Sequence, residues 1–188
     1  MSHKNHAYPA SGARLLDNPI RKLMQPPSEL IEKLGITLDQ TVMDFGCGPG
    51  YFTVGLARKA GNVIAVDLSV EMLKIAQHKV AKAHFANLEF LQSNGTSIQV
   101  EGSSVDLILL VTVFHEIGDN PTVLKELSRV LKPSGRLVIV EVIKKGIIPG
   151  APIQNPQTIE AEVSASNFKP QQIMPYKNYG VFFFSKKL

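Results

Sequence analysis

The sequence predicts an α/β protein built on a largely parallel sheet, and three observations carry that prediction. Apolar strand-like runs alternate with helix-like amphipathic stretches along most of the chain. The central runs, Leu107–Val111 above all, are apolar at consecutive positions, as strands covered on both faces are. A turn with glycines at alternate positions, Gly46, Gly48 and Gly50, joins the first such strand to a helical stretch.

Each element has its own signal. Residues 1–13 are polar, rich in small side chains, and expected to be mobile unless a ligand orders them. Pro26-Pro27-Ser28 opens a helix with Leu30, Ile31 and Leu34 on one face, and Gly35 stops it. Strands are expected at Val42–Phe45, Val63–Val66, Leu88–Leu91, Val105–Val113 and Leu137–Val142. Helices are expected between them at Phe52–Lys59, Val70–Lys82 and Thr122–Leu131. Pro149, Pro152 and Pro156 make Gly146–Thr158 an irregular loop over the carboxyl edge of the sheet. A short helix near Ile159–Ser166 then precedes strands at about Gln172–Pro175 and Gly180–Ser185. Lys177-Asn178-Tyr179-Gly180 joins those strands as an antiparallel hairpin, because Asn and Gly tolerate turn dihedrals. The chain therefore reads as a single domain. Residues 1–40 cover the pocket, 41–142 form the ligand-binding core, and 143–188 supply a loop, a short helix and the hairpin.

Composition narrows the function classes. At 188 residues, 44% hydrophobic and 19% charged, the chain buries a proper core and is no disordered polymer. Its longest uncharged apolar stretch, Leu107–Phe114, is too short to span a bilayer. The N-terminal Met-Ser-His-Lys-Asn-His lacks a signal-peptide core. One cysteine makes no internal disulfide and suits a reducing cytoplasm. The net charge of +4 is scattered, the densest runs being pairs such as Lys144-Lys145 and Lys186-Lys187. Nucleic-acid binding concentrates such residues on one face, so a solvated surface is the reading here. His3 and His6 have no supporting ligands, and no metal site is expected.

Ligands of open α/β sheets bind beyond the carboxyl ends of the strands. Asp44, Asp67, Asn94 and the segment Thr112–Glu116 all fall at such ends. A carboxylate at the end of the second strand accepts both hydroxyls of a ribose, and Asn94 suits an adenine edge. Together they point to an adenosine compound. The glycines run G-x-G-x-G rather than G-x-G-x-x-G, and Asp44 stands just ahead of them. A negative charge there opposes a pyrophosphate and favours a cation such as S-adenosylmethionine, which carries an ammonium and a sulfonium.

Four segments then line up in order. Met43-Asp44-Phe45-Gly46-Cys47-Gly48-Pro49-Gly50 resembles the first motif of the class I S-adenosylmethionine-dependent methyltransferases. Ile64-Ala65-Val66-Asp67-Leu68-Ser69, followed by Met72-Leu73, is similar to the second motif of that family. Ser104-Val105-Asp106-Leu107-Ile108 resembles the start of its fourth strand, and Leu131-Lys132-Pro133-Ser134-Gly135-Arg136-Leu137 its turn into the fifth. The resemblance implies a Rossmann-like, seven-stranded, mostly parallel sheet with helices on both faces and a C-terminal antiparallel hairpin. It also implies site roles. Gly46, Gly48 and Gly50, with Cys47 among them, would let the backbone pass close to the methionine moiety. Asp44 would orient its ammonium. Asp67 would hold the ribose, Leu68 and Met72 would line the adenine pocket, and Asn94, Gly95 and Thr96 would border the adenine edge. Val111 would complete the cofactor-binding set. Asn94 departs from the aspartate common in the family, though its amide oxygen still accepts from an adenine amino group.

Methyl transfer from a sulfonium is an in-line displacement in which positioning supplies much of the acceleration. His115 and Glu116 follow the fourth strand and are the candidate catalytic pair, His115 as a base and Glu116 as its orienter or a substrate contact. The rival reading makes His115 a pocket wall and the acceptor an intrinsically nucleophilic thiol or amine. Cys47 has no evident partner base and reads as a small loop residue. Asp106, at the start of its strand, reads as structural. Thr112-Val113-Phe114-His115 replaces the Asn- or Asp-Pro-Pro-aromatic motif of enzymes that methylate planar amino groups. A small-molecule acceptor follows, with S-adenosylhomocysteine as the second product and the protein a monomer or homodimer. Arg14, Arg21 and Lys22 are candidate contacts to an anionic acceptor, or solvated surface. RNA or protein methylation and nicotinamide-dependent oxidoreduction are the alternatives.

Overall fold

The structure, a computed structural model, describes residues 26–81, 85–144 and 152–187. His3, His6, Arg14, Arg21, Lys22, Lys82, Lys145, Gly146 and Pro149 lie outside the described residues. Seven strands form one sheet in the order β3-β2-β1-β4-β5-β7-β6, parallel but for the C-terminal strands, which is the predicted α/β class. The chain divides into two compact units at Asn94/Gly95.

In the first unit, α1 (Pro27–Lys33) begins on a proline at its first position, where no N–H is needed, and buries Leu30 and Ile31. Gly35 closes it in the left-handed region at φ 61°, with its N–H on the Glu32 carbonyl. β1 (Thr41–Phe45), β2 (Asn62–Asp67) and β3 (Leu88–Gln92) are parallel, with Asp44 level with Ala65 and Asp67 level with Gln92. α2 spans only Thr53–Ala57, shorter than the predicted Phe52–Lys59. The N–H groups of Lys59 and Ala60 both turn onto the Leu56 carbonyl, ending the helix so that the chain reaches β2. There Gly61 passes so tightly that a Cβ would meet the Leu38 carbonyl oxygen at 2.2 Å. α3 (Val70–Ala81) starts beneath the Ser69 hydroxyl, which accepts from the Met72 N–H at 3.2 Å.

The second unit carries β4 (Val105–Val111), a short 3-10 turn at Phe114–Glu116 and α4 (Asn120–Val130). β5 (Leu131–Val142), α5 (Pro156–Ser164), β6 (Phe168–Tyr176) and β7 (Tyr179–Lys186) follow. β4 ends two residues before the predicted Val113, because Thr112 takes φ 55°. The predicted turn before β5 is absorbed into the strand. β4 advances from Val105 to Leu107 while β5 advances from Leu131 to Arg136, so Lys132–Gly135 bulge outward. α5 begins at Pro156, inside the predicted loop, because the Asn155 side chain caps it by accepting from the Gln157 N–H at 2.9 Å.

The hairpin strands run longer than their sequence suggests. β6 is mostly exposed, yet it pairs along its length with β7, whose Phe182, Phe183 and Phe184 are buried. Pro170 and Pro175 are tolerated because β6 is an edge strand. The positive φ of the turn falls on Lys177, at 54°, rather than on a glycine. Gly180 instead sits in β7 opposite Glu141, where a Cβ would approach the Phe182 ring to 2.8 Å.

Candidate functional site

The turn after β1 is bound to the end of β2. The N–H groups of Gly46 and Cys47 both donate to the Val66 carbonyl, at 2.8 and 3.0 Å. The Gly48 N–H donates to Asp67 Oδ2 at 2.7 Å, and the Ser69 N–H donates to Asp67 Oδ1 at 2.9 Å. Asp67 therefore ties the glycine turn and the start of α3 to one carboxylate. The sequence placed Asp67 at the strand end but did not reveal this latch. Its half-buried position raises its pKa, against the lowering effect of backbone N–H groups at Ser69, Gly48 and Leu68.

The glycines differ in what they avoid. A Cβ on Gly50 would come within 3.0 Å of the Ala76 Cβ, so this position serves the close approach of α3 as well as φ 76°. Among the described residues, a Cβ on Gly48 would meet nothing within 4 Å.

Asp44 is 3% exposed and accepts from the Thr53 hydroxyl at 2.6 Å. Burial pushes its pKa up to about 7; the Thr53 hydrogen bond opposes the shift and the charge of Asp67 adds to it. Among the described residues no cationic side chain pairs with Asp44 or Asp67. Cys47 packs with Ala65, Leu73 and Phe90. Burial, then the charges of Asp44 and Asp67, push its thiol well above the usual range, so it is an un-ionised packing group. Leu68 is half-buried, and Met72 is wholly enclosed on the inner face of α3. Asn94 and Thr96 are exposed on either side of buried Gly95, which takes φ 84°.

In the second unit, Val111 closes β4 as a buried residue and Thr112 follows in the left-handed region, unusual for a β-branched side chain. The Thr112 N–H donates to the Val140 carbonyl at 2.8 Å, and its hydroxyl donates to the Val111 carbonyl at 2.7 Å. His115 lies in the turn beyond. Its Nδ1 stands 2.9 Å from Oε2 of Glu141, and its backbone N–H donates to Oε1 at 3.3 Å. Glu141 is fully buried, near the carboxyl end of β5. Glu116 is more exposed, with Oε1 3.9 Å from His115 Nε2. Burial disfavours charge on His115, but the hydrogen bond and charge of Glu141, aided by Glu116, outweigh it and raise the pKa. Glu141 was not singled out from sequence. The signal was present as the one acid in the apolar run Leu137–Val142. Asp106 lies elsewhere, held by Lys132 Nζ at 2.8 Å, a structural pair.

Residues 43–139 match the methyltransferase-domain family. A demethylmenaquinone methyltransferase of Lactococcus lactis is 35% identical over 117 residues, 61% of this chain and 46% of that protein. The ubiquinone/menaquinone biosynthesis C-methyltransferase UbiE of Hahella chejuensis is 28% identical over 118 residues, 61% of this chain and 47% of that protein. The chain thus spans about half the length of these curated relatives. A crystal structure of a SAM-dependent methyltransferase from Aquifex aeolicus superimposes with a TM-score of 0.87 at 25% identity, covering 97% of this chain and all of that one.

Proposed function

Because the chain belongs to the class I S-adenosylmethionine-dependent methyltransferases, we propose that it methylates a small-molecule acceptor. The family's cofactor is S-adenosylmethionine, and the residues present fit it. The observation that carries the fit is a pair of carboxylates, Asp44 and Asp67, near the carboxyl ends of neighbouring parallel strands and held, among the described residues, by hydroxyl and backbone donors. Two acids there would repel a pyrophosphate and attract an ammonium. In this reading Asp44 holds the cationic amino group, Asp67 the ribose hydroxyls, and the open backbone at Gly48 the intervening moiety. Leu68 and Asn94 complete the contacts made by the first unit. Met72 supports the pocket from within α3. When bound, the cofactor supplies a methyl group on a sulfonium that leaves readily by in-line displacement.

His115 acts on the acceptor. Its Nε2 is free of the Glu141 contact, so it can take a proton from an acceptor that must lose one. Glu116, on the Nε2 side, contacts a polar acceptor or its proton. The names of the two curated relatives, a demethylmenaquinone methyltransferase and a ubiquinone/menaquinone biosynthesis C-methyltransferase, support a small-molecule acceptor. Among the described residues no helix is long and apolar enough to cross a membrane.

Calorimetric titration with S-adenosylmethionine, S-adenosylhomocysteine and NADH tests the assignment. The first two should bind and NADH should not. Asp67→Ala should weaken binding roughly 100-fold while the protein stays folded by circular dichroism. Binding of NADH alone would overturn the reading.

A further inference from the structure

The chemistry around His115 extends to a residue that the sequence did not single out. Glu141 is wholly buried in β5, yet both of its oxygens are used by one residue: Oε2 meets the His115 ring at Nδ1, 2.9 Å, and Oε1 meets the His115 backbone N–H, 3.3 Å. An ionised carboxylate only accepts, so the ring nitrogen facing it must donate, which leaves Nε2 as the atom bearing the lone pair. The turn holding His115 is itself held to β5. Thr112 is kept in the left-handed region while its N–H bonds the Val140 carbonyl, one residue before Glu141. Backbone strain of this kind gathers where a side chain must be aimed. Opposite Glu141 on β7 stands Gly180, which brings no side chain and no charge.

We propose that Glu141 is the positioning residue of a Glu141–His115 dyad, and that the methyl acceptor is therefore a group that gives up a proton, a hydroxyl or an acidic C–H. This rests on the methyltransferase reading above and names its acceptor class. The acceptor's X–H bond breaks, the proton passes to Nε2, and the electron pair stays on X. Glu141 then balances the imidazolium that forms. Among the described residues, the charged groups facing His115 are Glu141 from β5 and Glu116 from its own turn, and both favour that cation.

Imidazole nitrogen NMR across pH, on the full chain without cofactor and on Glu141→Gln, tests the dyad; His115→Gln assigns the signal. The neutral ring should carry its proton on Nδ1, and Glu141→Gln should move the titration midpoint down. With an acceptor bearing an ionisable X–H, Glu141→Gln should lower kcat roughly 100-fold, and the rising limb of the pH–rate profile should shift with the NMR midpoint. A proton on Nε2 in the unsubstituted chain would overturn the proposal even if Glu141→Gln failed to fold. So would an unmoved midpoint, or a kcat loss equal at every pH. S-adenosylmethionine affinity, measured on the same variant, separates the two readings. It should change less than about twofold, and failure of the unsubstituted chain to bind would strike the methyltransferase assignment instead.

Discussion

Asp44 in the first unit and Glu141 in the second are both carboxylates almost wholly removed from water, and they are satisfied in opposite ways. Glu141 faces an imidazole that takes up positive charge beside it. Asp44 has a neutral hydroxyl from Thr53 and the like charge of Asp67, and its pKa climbs to about 7. Burying a lone charge is costly, whereas burying one against a partner is tolerable. The difference separates a buried carboxylate with an ionisable partner from one without such a partner among the described residues. On the proposed reading, the first unit leaves Asp44 for a positively charged ligand, whereas the second meets Glu141 with an imidazole of its own chain. The same contrast runs through the turns. Where the chain after β1 needs the left-handed region it uses glycine, but after β4 it uses Thr112 and accepts strain.

The largest effect expected from breaking the comparison is at Asp44. Asp44→Asn keeps the shape and removes the charge, so S-adenosylmethionine should bind roughly 10- to 100-fold more weakly by calorimetry. The sign of its pH dependence follows from the raised pKa. The native carboxyl holds a proton that the unfolded chain has lost between about pH 4 and about pH 7, so stability from this group falls as pH rises through that window. Thermal unfolding of Asp44→Asn without ligand should lack that fall. In the unsubstituted chain, affinity should tighten as pH rises towards and through about 7, because the ionised form meets the cation. His115 behaves differently in origin and similarly in direction. Its pairing with Glu141 stabilises fully below the ordinary imidazole range, about 6.5, and is lost as pH rises through the raised value.

Next in size are the glycines. Gly50→Ala combines φ 76° with a 3.0 Å approach to Ala76, and should cost about 2–4 kcal/mol in chemical denaturation. Gly48→Ala faces open space at φ 52° and should cost only about 1 kcal/mol, while still disturbing ligand affinity. Equal costs would mean that α3 does not press on the turn. The smallest effect is at Thr112. Thr112→Asn removes the β-branch from a left-handed residue and should raise stability by about 0.5–1 kcal/mol. A destabilised variant would show that the hydroxyl bond to Val111 outweighs the strain.

Much of the first unit was legible because its signals are local. The glycine turn, the acid at the end of β2 and the stop at Gly35 are written in consecutive residues, and period and turn chemistry read them directly. The second unit was harder. Leu131–Gly135 reads as a turn but belongs to a strand with a bulge, and polar β6 becomes a long strand only by pairing with the aromatic β7. The α/β class, the strand order along the chain and the acidic strand ends were determined by the sequence alone, since each rests on side-chain periodicity and backbone permissiveness within a few neighbours. Tertiary structure decided that Asp67 grips Gly48 from 19 residues away, that Glu141 grips His115 from 26, and that Gly50 makes room for Ala76. Those are encounters between positions distant in sequence, and no local repeat records which buried acid meets which donor.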